Sequence, residues 1–556
     1  MKKKRLWEKT LCIILSSAMV LSLAACSRKN SGEISQREND QEEAENSYGT
    51  VTEEKPIVET KYGKVQGRTE DGVAGFRNIP YGSNVDGEGR FLPAEEPESW
   101  SDVKDCTITG PRAVQTVGLS GHGNLFQTRV GDYFAGGRIG ELGLNDQMDS
   151  ENCLNLNVLT PGIDDKKRPV MVYIHGGAFV EGSNAITAGA YGLPRDEDVV
   201  LVGVNHRLNG FGFLYLGDLN EKYAESGNVG LLDLVLALEW VRDNIEAFGG
   251  DPDNVTIFGE SGGGAKVLSL TMMEKADGLF HKAIIQSGTY RAFKTKEDAA
   301  ENTKICLEKL GISENELDRL AEIPTDELFE AMGTDYGPVL DGINLSEDIY
   351  EANVSDNILQ ISDDIPMLIG TDADEMKWLS GEGNRDLFRL EDADLAEMLE
   401  TDLGENTDKI IDGYKEAYPE YSASDLYFKI TTDNTFGKNA YYLSDLKADA
   451  NEAPVYRYLY NHICPIEDGL YGAYHTAELP LIMRMVMYEE DENMSKTLAS
   501  MWANFARTGD PSTEDISWPA YTTDDRQVMI LEEESHVQSD PEQATRELWN
   551  EVDGRG

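Results

Sequence analysis

The sequence predicts an α/β fold in which a mostly parallel central sheet is flanked by helices and carries helical cap insertions. Three observations point there: short apolar runs rich in β-branched and aromatic residues, helical periodicity between two of them, and a glycine-framed serine where a run passes into a helix. Continuous apolar runs mark strands buried on both faces, which is the habit of parallel sheets. A strand, a helix and a second strand in succession need a crossover connection, and that argues for a doubly wound sheet.

Taken in chain order, the first ten residues carry Lys2, Lys3, Lys4, Arg5 and Lys9, and an apolar run follows over 11–25. A basic segment before a short apolar one reads as an export signal; about twenty apolar residues would be needed to span a bilayer. The run ends in Leu23, Ala24, Ala25 and Cys26, which resembles the lipobox of bacterial lipoproteins. Residues 1–25 are therefore expected to be a lipoprotein signal peptide and Cys26 the lipidated residue. This puts the protein on the outer face of a bacterial cell membrane, attached through its N-terminal lipid only. Residues 26–55 are rich in Ser, Glu, Asn and Gln and poor in aliphatic side chains, so they read as an acidic, disordered tether.

From 56 to 549 no low-complexity break, repeat or linker interrupts the pattern, and a single domain is expected. Candidate strands lie at 170–174, 199–204, 255–258, 283–285, 367–369 and 455–460. Between the second and third, Leu231, Val235, Leu238, Val241, Ile245 and Phe248 recur at three- and four-residue steps and end at Gly249 and Gly250, which predicts an amphipathic helix. The acidic, helix-patterned stretches after Gly288 are expected to cap one end of the sheet.

Composition excludes some functions. The chain has 556 residues, with 49 Lys and Arg against 102 Asp and Glu, a formal net charge of -53. Nucleic acid would be repelled over most of such a surface, and solubility in an exposed medium accounts for the acidity. Six cysteines stand at 12, 26, 106, 153, 306 and 464 without a CxxC pair or a Cys/His cluster of zinc spacing, so no metal is expected. Cys106 and Cys153 are equally compatible with a disulfide and with two buried thiols.

The chemistry centres on the run 255–258, which leads directly into Gly259, Glu260, Ser261, Gly262 and Gly263. This is G-x-S-x-G between a strand and a helix. Glycines are needed there because a serine at a strained strand-to-helix elbow would otherwise be blocked by its neighbours' side chains. Ser261 is the candidate nucleophile of an α/β-hydrolase fold. A hydroxyl needs a base that is itself oriented by a carboxylate, and in this fold the chain order is serine, acid, histidine. Of seven histidines only His462, His475 and His536 lie far enough beyond Ser261. The pattern favours His475, in a loop beside Gly472 and Ala473, over His462 at a strand end, and His536 falls in an acidic tail. Asp372, Asp374 and Glu375 crowd the loop after 367–369, and residue pattern alone leaves the acid open. The run 170–174 ends in His175-Gly176-Gly177-Ala178, an HGG loop of the kind that supplies backbone donors to an oxyanion. Gly177, Ala178 and the N–H of Gly262 are the candidate oxyanion hole, and His175 reads as a structural hydrogen-bonding residue.

These segments resemble the type-B carboxylesterases, a family of bacterial para-nitrobenzyl esterases, animal carboxylesterases, cholinesterases and non-catalytic neuroligins. The resemblance runs from VAGFRNIPYG through VYIHGGAF, VNHRLNGFGF, FGGDPDNVTIFGESGGG, LIGTDADE and YGAYHTAEL to WANFARTGDPS. It implies a Ser-His-Glu triad, selecting Glu375 from a G-T-N-x-D-E-type loop and His475 from a G-A-x-H-x-x-E-L-like segment. It also implies ester hydrolysis through an acyl-enzyme without any cofactor, on a small-molecule ester. A lipase or a deacylase of cell-wall or polysaccharide esters is the alternative on the same fold, and a neuroligin-like binding module a more distant one. The sequence departs from the family in Asn152 and Asn155, which replace residues more usual in the cysteine signature, and in Ala113, which stands where many members place the cysteine that pairs with the equivalent of Cys153. No tryptophan lies between Trp100 and Trp240, so the cation–π platform of choline esterases is missing.

Overall fold

A sheet of eleven strands carries the molecule, and its seven central strands are parallel. The computed structural model describes residues 51–115, 128–142, 147–351, 359–450 and 452–555. Cys26, the expected signal segment and most of the expected tether lie outside these. In spatial order the parallel strands are Val200–Val204, Arg168–Ile174, Gly250–Glu260, Lys282–Gln286, Met367–Asp372, Val455–Tyr460 and Gln527–Leu531. All six predicted runs fall on members of this set. Four antiparallel strands extend the edges: Asn155–Thr160, Val73–Pro80 and Arg68–Glu70 on one side, His536–Ser539 on the other.

Alternation along each strand divides the interior. On Arg168–Ile174, Val170, Val172 and Ile174 enter one core, whereas Met171 and Tyr173 enter the other. Both cores are apolar, which is why these strands read as unbroken hydrophobic runs. The helix Val229–Asn244 packs into the first core, and Leu498, Met501, Trp502 and Phe505 of the helix Glu492–Thr508 fill the second.

The first of these helices departs from the expected one-faced amphipathic pattern. Leu232, Leu234 and Leu236 are buried as well as Leu231, Val235 and Leu238, and only Glu239, Arg242 and Asp243 reach solvent. It is enclosed because the loop after Val200–Val204 folds over it: Arg207 makes paired hydrogen bonds of 2.8 and 2.6 Å to buried Asp233. Removing one partner of such a pair costs about 3–5 kcal/mol, because the remaining charge is left uncompensated.

The insertions after Gly288 are helical, as expected. Asp392–Leu403, Thr407–Ala417 and Ala423–Thr432 assemble a small core of their own with Trp549. A π-helical turn, Asp433–Gly437, follows directly. Cys106, Cys153, Cys306 and Cys464 are all buried free thiols, so the thiol alternative holds for Cys106 and Cys153. Among the described residues no helix is long and apolar enough to cross a membrane.

Candidate active site

Register brings the candidate residues to one edge of the sheet. Glu260 pairs with Gln286, and Gln286 pairs with Gly370, so the strands carrying Ser261 and the acid loop end side by side. This is the carboxyl end of a parallel sheet, where α/β folds place their ligands.

Ser261 has φ 56° and ψ -125°, a conformation rare for a residue with a side chain. It is held by hydrogen bonds of 2.9 Å from its N–H to the Gln286 carbonyl and 3.0 Å from the Ala265 N–H to its own carbonyl. The glycines around it are demanded by close backbone approach. A Cβ at Gly259 would lie 2.5 Å from the Gly263 carbonyl carbon, and one at Gly263 would lie 2.0 Å from the Ile174 oxygen. The strained serine is thus half-buried at the start of the helix Gly262–Leu270, where the aligned backbone dipoles favour negative charge.

The HGG loop reaches the same place. Gly177 has φ 85° and Ala178 φ 51°, which turns the backbone sharply beyond the strand Arg168–Ile174. A Cβ at Gly262 would meet the Ala178 nitrogen at 2.5 Å, so the Gly262 and Ala178 backbones are in direct contact. Gly177, Ala178 and Gly262 therefore form one cluster beside Ser261. His175 behaves as a structural residue: its Nδ1 lies 2.9 Å from the Gly176 oxygen, it stacks on His206, and burial pulls it down to about 3, so the ring is neutral. Lys266, fully buried on the helix behind Ser261, donates to the His175 carbonyl at 3.0 Å, and burial lowers it to about 7.

Of the three acids in the loop, Glu375 meets the histidine. His475 Nδ1 lies 2.5 Å from Glu375 Oε2, both residues are buried, and Glu375 Oε1 accepts the Asp372 N–H at 2.9 Å. Asp374 fastens the two loops together, its N–H donating to the Ala473 carbonyl at 2.9 Å and its Oδ2 accepting the Ala473 N–H at 3.1 Å. His462 is engaged elsewhere, with Asp491 at 2.8 Å, and His536 is exposed. Burial would depress His475, but the Glu260 and Glu375 carboxylates outweigh it and push it up to about 9.

The second ring nitrogen, Nε2, lies 3.3 Å from Glu260 Oε1. Among the described residues no hydrogen bond joins the Ser261 hydroxyl to His475. The structure thus brings together Glu375 with His475, and Ser261 with Gly177, Ala178 and Gly262. Nε2 is turned to the residue immediately before the serine. Catalytic hydrogen bonds are often formed only in the substrate complex.

Four further residues shape the site and were not singled out from the sequence. Glu260 sits inside the G-x-S-x-G motif, where the pattern treats it as the variable position. Glu478 accepts from Gln286 Nε2 at 2.8 Å and is fully buried; its only sequence signal is its spacing of three from His475. Phe436, on the π-helical turn, lies 5.2 Å from the His475 ring, and Tyr290 packs edge-on against Phe436 at 5.9 Å. Tyr290 also lines a cavity of about 570 Å³ with Arg291, Tyr350, Asn434, Lys438 and Arg555 among its walls. Among the described residues no group of His, Cys, Asp and Glu is arranged to hold a metal ion.

The model of the carboxylesterase family matches residues 54–549. A para-nitrobenzyl esterase of Bacillus subtilis (strain 168) is 37% identical over 515 residues, covering 88% of this chain and 98% of that protein. Among solved structures, the Geobacillus stearothermophilus carboxylesterase EST55 superposes with a TM-score of 0.75 at 34% identity, over 89% of this chain and 99% of that one. An esterase from Clostridium hathewayi, described as able to hydrolyse aliphatic aromatic polyesters, gives a TM-score of 0.70 at 32% identity, over 89% and 98%.

Proposed function

The chain belongs to the carboxylesterase family and is a serine carboxylic ester hydrolase, and from that premise we propose that Ser261, His475 and Glu375 are its catalytic triad. The observations that support the proposal are a strained Ser261 at the strand end and a buried His475 whose Nδ1 is held by Glu375 at 2.5 Å and whose Nε2 faces Glu260, the residue just before the serine. A donor bond from Nδ1 to a carboxylate fixes the ring so that Nε2 is the basic nitrogen.

When an ester binds, Ser261 Oγ attacks its carbonyl carbon as Nε2 of His475 takes the hydroxyl proton. The carbonyl oxygen becomes an oxyanion received by the N–H groups of Gly177, Ala178 and Gly262. The imidazolium, stabilised by Glu375, then gives its proton to the departing alkoxide, and an acyl-enzyme remains. Water repeats the sequence: His475 takes its proton, hydroxide adds to the acyl carbon, and Ser261 leaves with the proton returned. Proton count and charge balance at each half, so no cofactor is needed.

Simple aliphatic and aryl esters are the proposed substrates, supported by the para-nitrobenzyl esterase relative and the polyester-hydrolysing structural neighbour. The test is turnover of esters varied in acyl and alcohol length by wild type and Glu375→Gln. The variant keeps shape but loses the charge that stabilises imidazolium, and kcat is expected to fall about 10⁴-fold. Full activity in Glu375→Gln, with collapse in Asp374→Asn, would move the acid.

The N-terminus supports a second element of the proposal: Cys26 carries lipid and anchors the enzyme to the outer face of the cell membrane, with residues 26–55 as spacer. The support is the LAAC junction after a basic and apolar segment. Cys26→Ser is expected to move the protein out of the membrane fraction or to block its processing, since two acyl chains anchor stably. A mature N-terminus at another residue, without an acyl chain, would refute this.

A further inference from the structure

Behind the His475 ring stand four buried carboxyl groups, those of Glu260, Asp372, Glu375 and Glu478, with exposures of 2% or less. Among the described residues none of the four is paired with a lysine or arginine; the only cationic partner is His475 itself, touched by Glu260 and Glu375. Four carboxylates and one imidazolium would leave three uncompensated negative charges out of water, far more than burial permits. Some of these groups must hold protons, and hydrogen bonding decides which.

Glu375 accepts from the Asp372 N–H and from His475, so its anion is well served. Glu478 accepts from Gln286, whose orientation is fixed because its own oxygen receives the Trp502 indole N–H at 3.3 Å, and indole can only donate. Asp372 is different: it is fully buried and neither of its oxygens receives any donor. Glu478 Oε2 is likewise buried without a donor, and after burial it is the Glu478 charge that acts most strongly on Asp372. Two carboxyl groups side by side form a hydrogen bond only if one is protonated.

We propose that Asp372 is a positioning residue held as the neutral acid, its carboxyl O–H donating to Oε2 of Glu478, so that Glu478 and Glu375 remain anions behind His475 while the Glu260 carboxylate faces its Nε2. The inference rests on the triad reading for its consequence but not for its geometry. Burial first, then the Glu478, Glu375 and Glu260 charges, raise Asp372 well above the usual carboxylate range. The groups facing it supply no cation: Tyr458 and Tyr460 from the neighbouring strand Val455–Tyr460, Tyr474 beside His475, and the three other acids. An asparagine at 372 would donate the same bond without a dissociable proton.

Two measurements test this. The first is the infrared carbonyl stretch of protonated carboxyl groups in the resting wild-type protein at about pH 8, where free carboxyls are ionised. A protonated band is expected there, and Asp372→Asn is expected to remove one such component; absence of the band, or its full persistence in Asp372→Asn, overturns the proposal. The second is the acid limb of kcat/KM, which reports His475. Asp372→Asn is expected to leave its apparent pKa within about 0.3 unit of wild type, whereas Glu478→Gln, which removes a true anion, should lower it by about a unit or more. A drop in Asp372→Asn equal to that in Glu478→Gln would show that Asp372 is ionised and would overturn the assignment. Should Ser261 prove not to be the nucleophile, the triad reading fails while the infrared result, taken on resting protein, still decides where the proton lies.

Discussion

Gly263→Ala should disable the enzyme although it adds a single methyl group away from the reacting atoms. The added Cβ would lie 2.0 Å from the Ile174 carbonyl oxygen and 3.0 Å from the His175 carbonyl carbon. Real Cβ contacts essentially never fall below 3.0 Å, so the backbones must separate by at least the difference between 3.0 and 2.0 Å. No flexible side chain can yield, because both sides are main chain. Either the helix Gly262–Leu270 lifts away, carrying the Gly262 N–H, or the strand Arg168–Ile174 retreats, carrying Gly177 and Ala178. Each movement spoils the fit between Ser261 and the proposed oxyanion donors. A misplacement of about 1 Å costs about 10²-fold, and losing one oxyanion donor costs about 10²–10³-fold, so kcat/KM should fall by that range. Stability should fall by about 1–3 kcal/mol from overpacking. The assay is para-nitrophenyl acetate hydrolysis together with thermal unfolding, with Gly383→Ala as control because nothing lies within 4 Å of a Cβ there. A Gly263→Ala protein with kcat/KM within about threefold of wild type would refute the reasoning, since the misplacement cost could not then apply.

Two further outcomes follow from charge. Since His475 must be neutral to accept a proton and is pushed up to about 9 by Glu260 and Glu375 against the effect of burial, kcat/KM should rise with pH above the ordinary histidine range; a limb at the unperturbed value would contradict the carboxylate environment. Lys266, lowered by burial to about 7, is charged in the unfolded chain up to its ordinary value near 10.4. The unfolded state therefore binds more protons between those limits, and wild type should gain stability relative to Lys266→Met as pH rises from about 7 to 10. Parallel unfolding curves of the two proteins across that range would show that the amine is not desolvated.

The central sheet was legible because parallel strands are apolar on both faces, and all six runs read from the sequence fall on it. The antiparallel edge was not. Val73–Pro80 contains Arg77 and Asn78 and breaks register between Phe76 and Ile79, so it lacks both a continuous apolar run and clean alternation. The candidate nucleophile was legible because glycine is required wherever backbones touch, and that requirement writes itself as G-x-S-x-G. The acid was harder. Asp372, Asp374 and Glu375 look alike in a string, yet the fold sends the first into a fully buried acid pair, leaves the second to clasp Ala473 and Lys377, and aims the third at His475. Glu260, Glu478 and Phe436 escaped notice because their roles depend on which strand ends meet, and that information lies in topology.

The most direct test of the account is the mass of the adduct formed with a fluorophosphonate, located by peptide mapping. The triad predicts one covalent modification, on Ser261, lost in Ser261→Ala together with about 10⁶-fold of turnover, and slowed in Glu375→Gln, whose His475 is a poorer base. Modification of another residue, or labelling of Ser261→Ala at the wild-type rate, would contradict it.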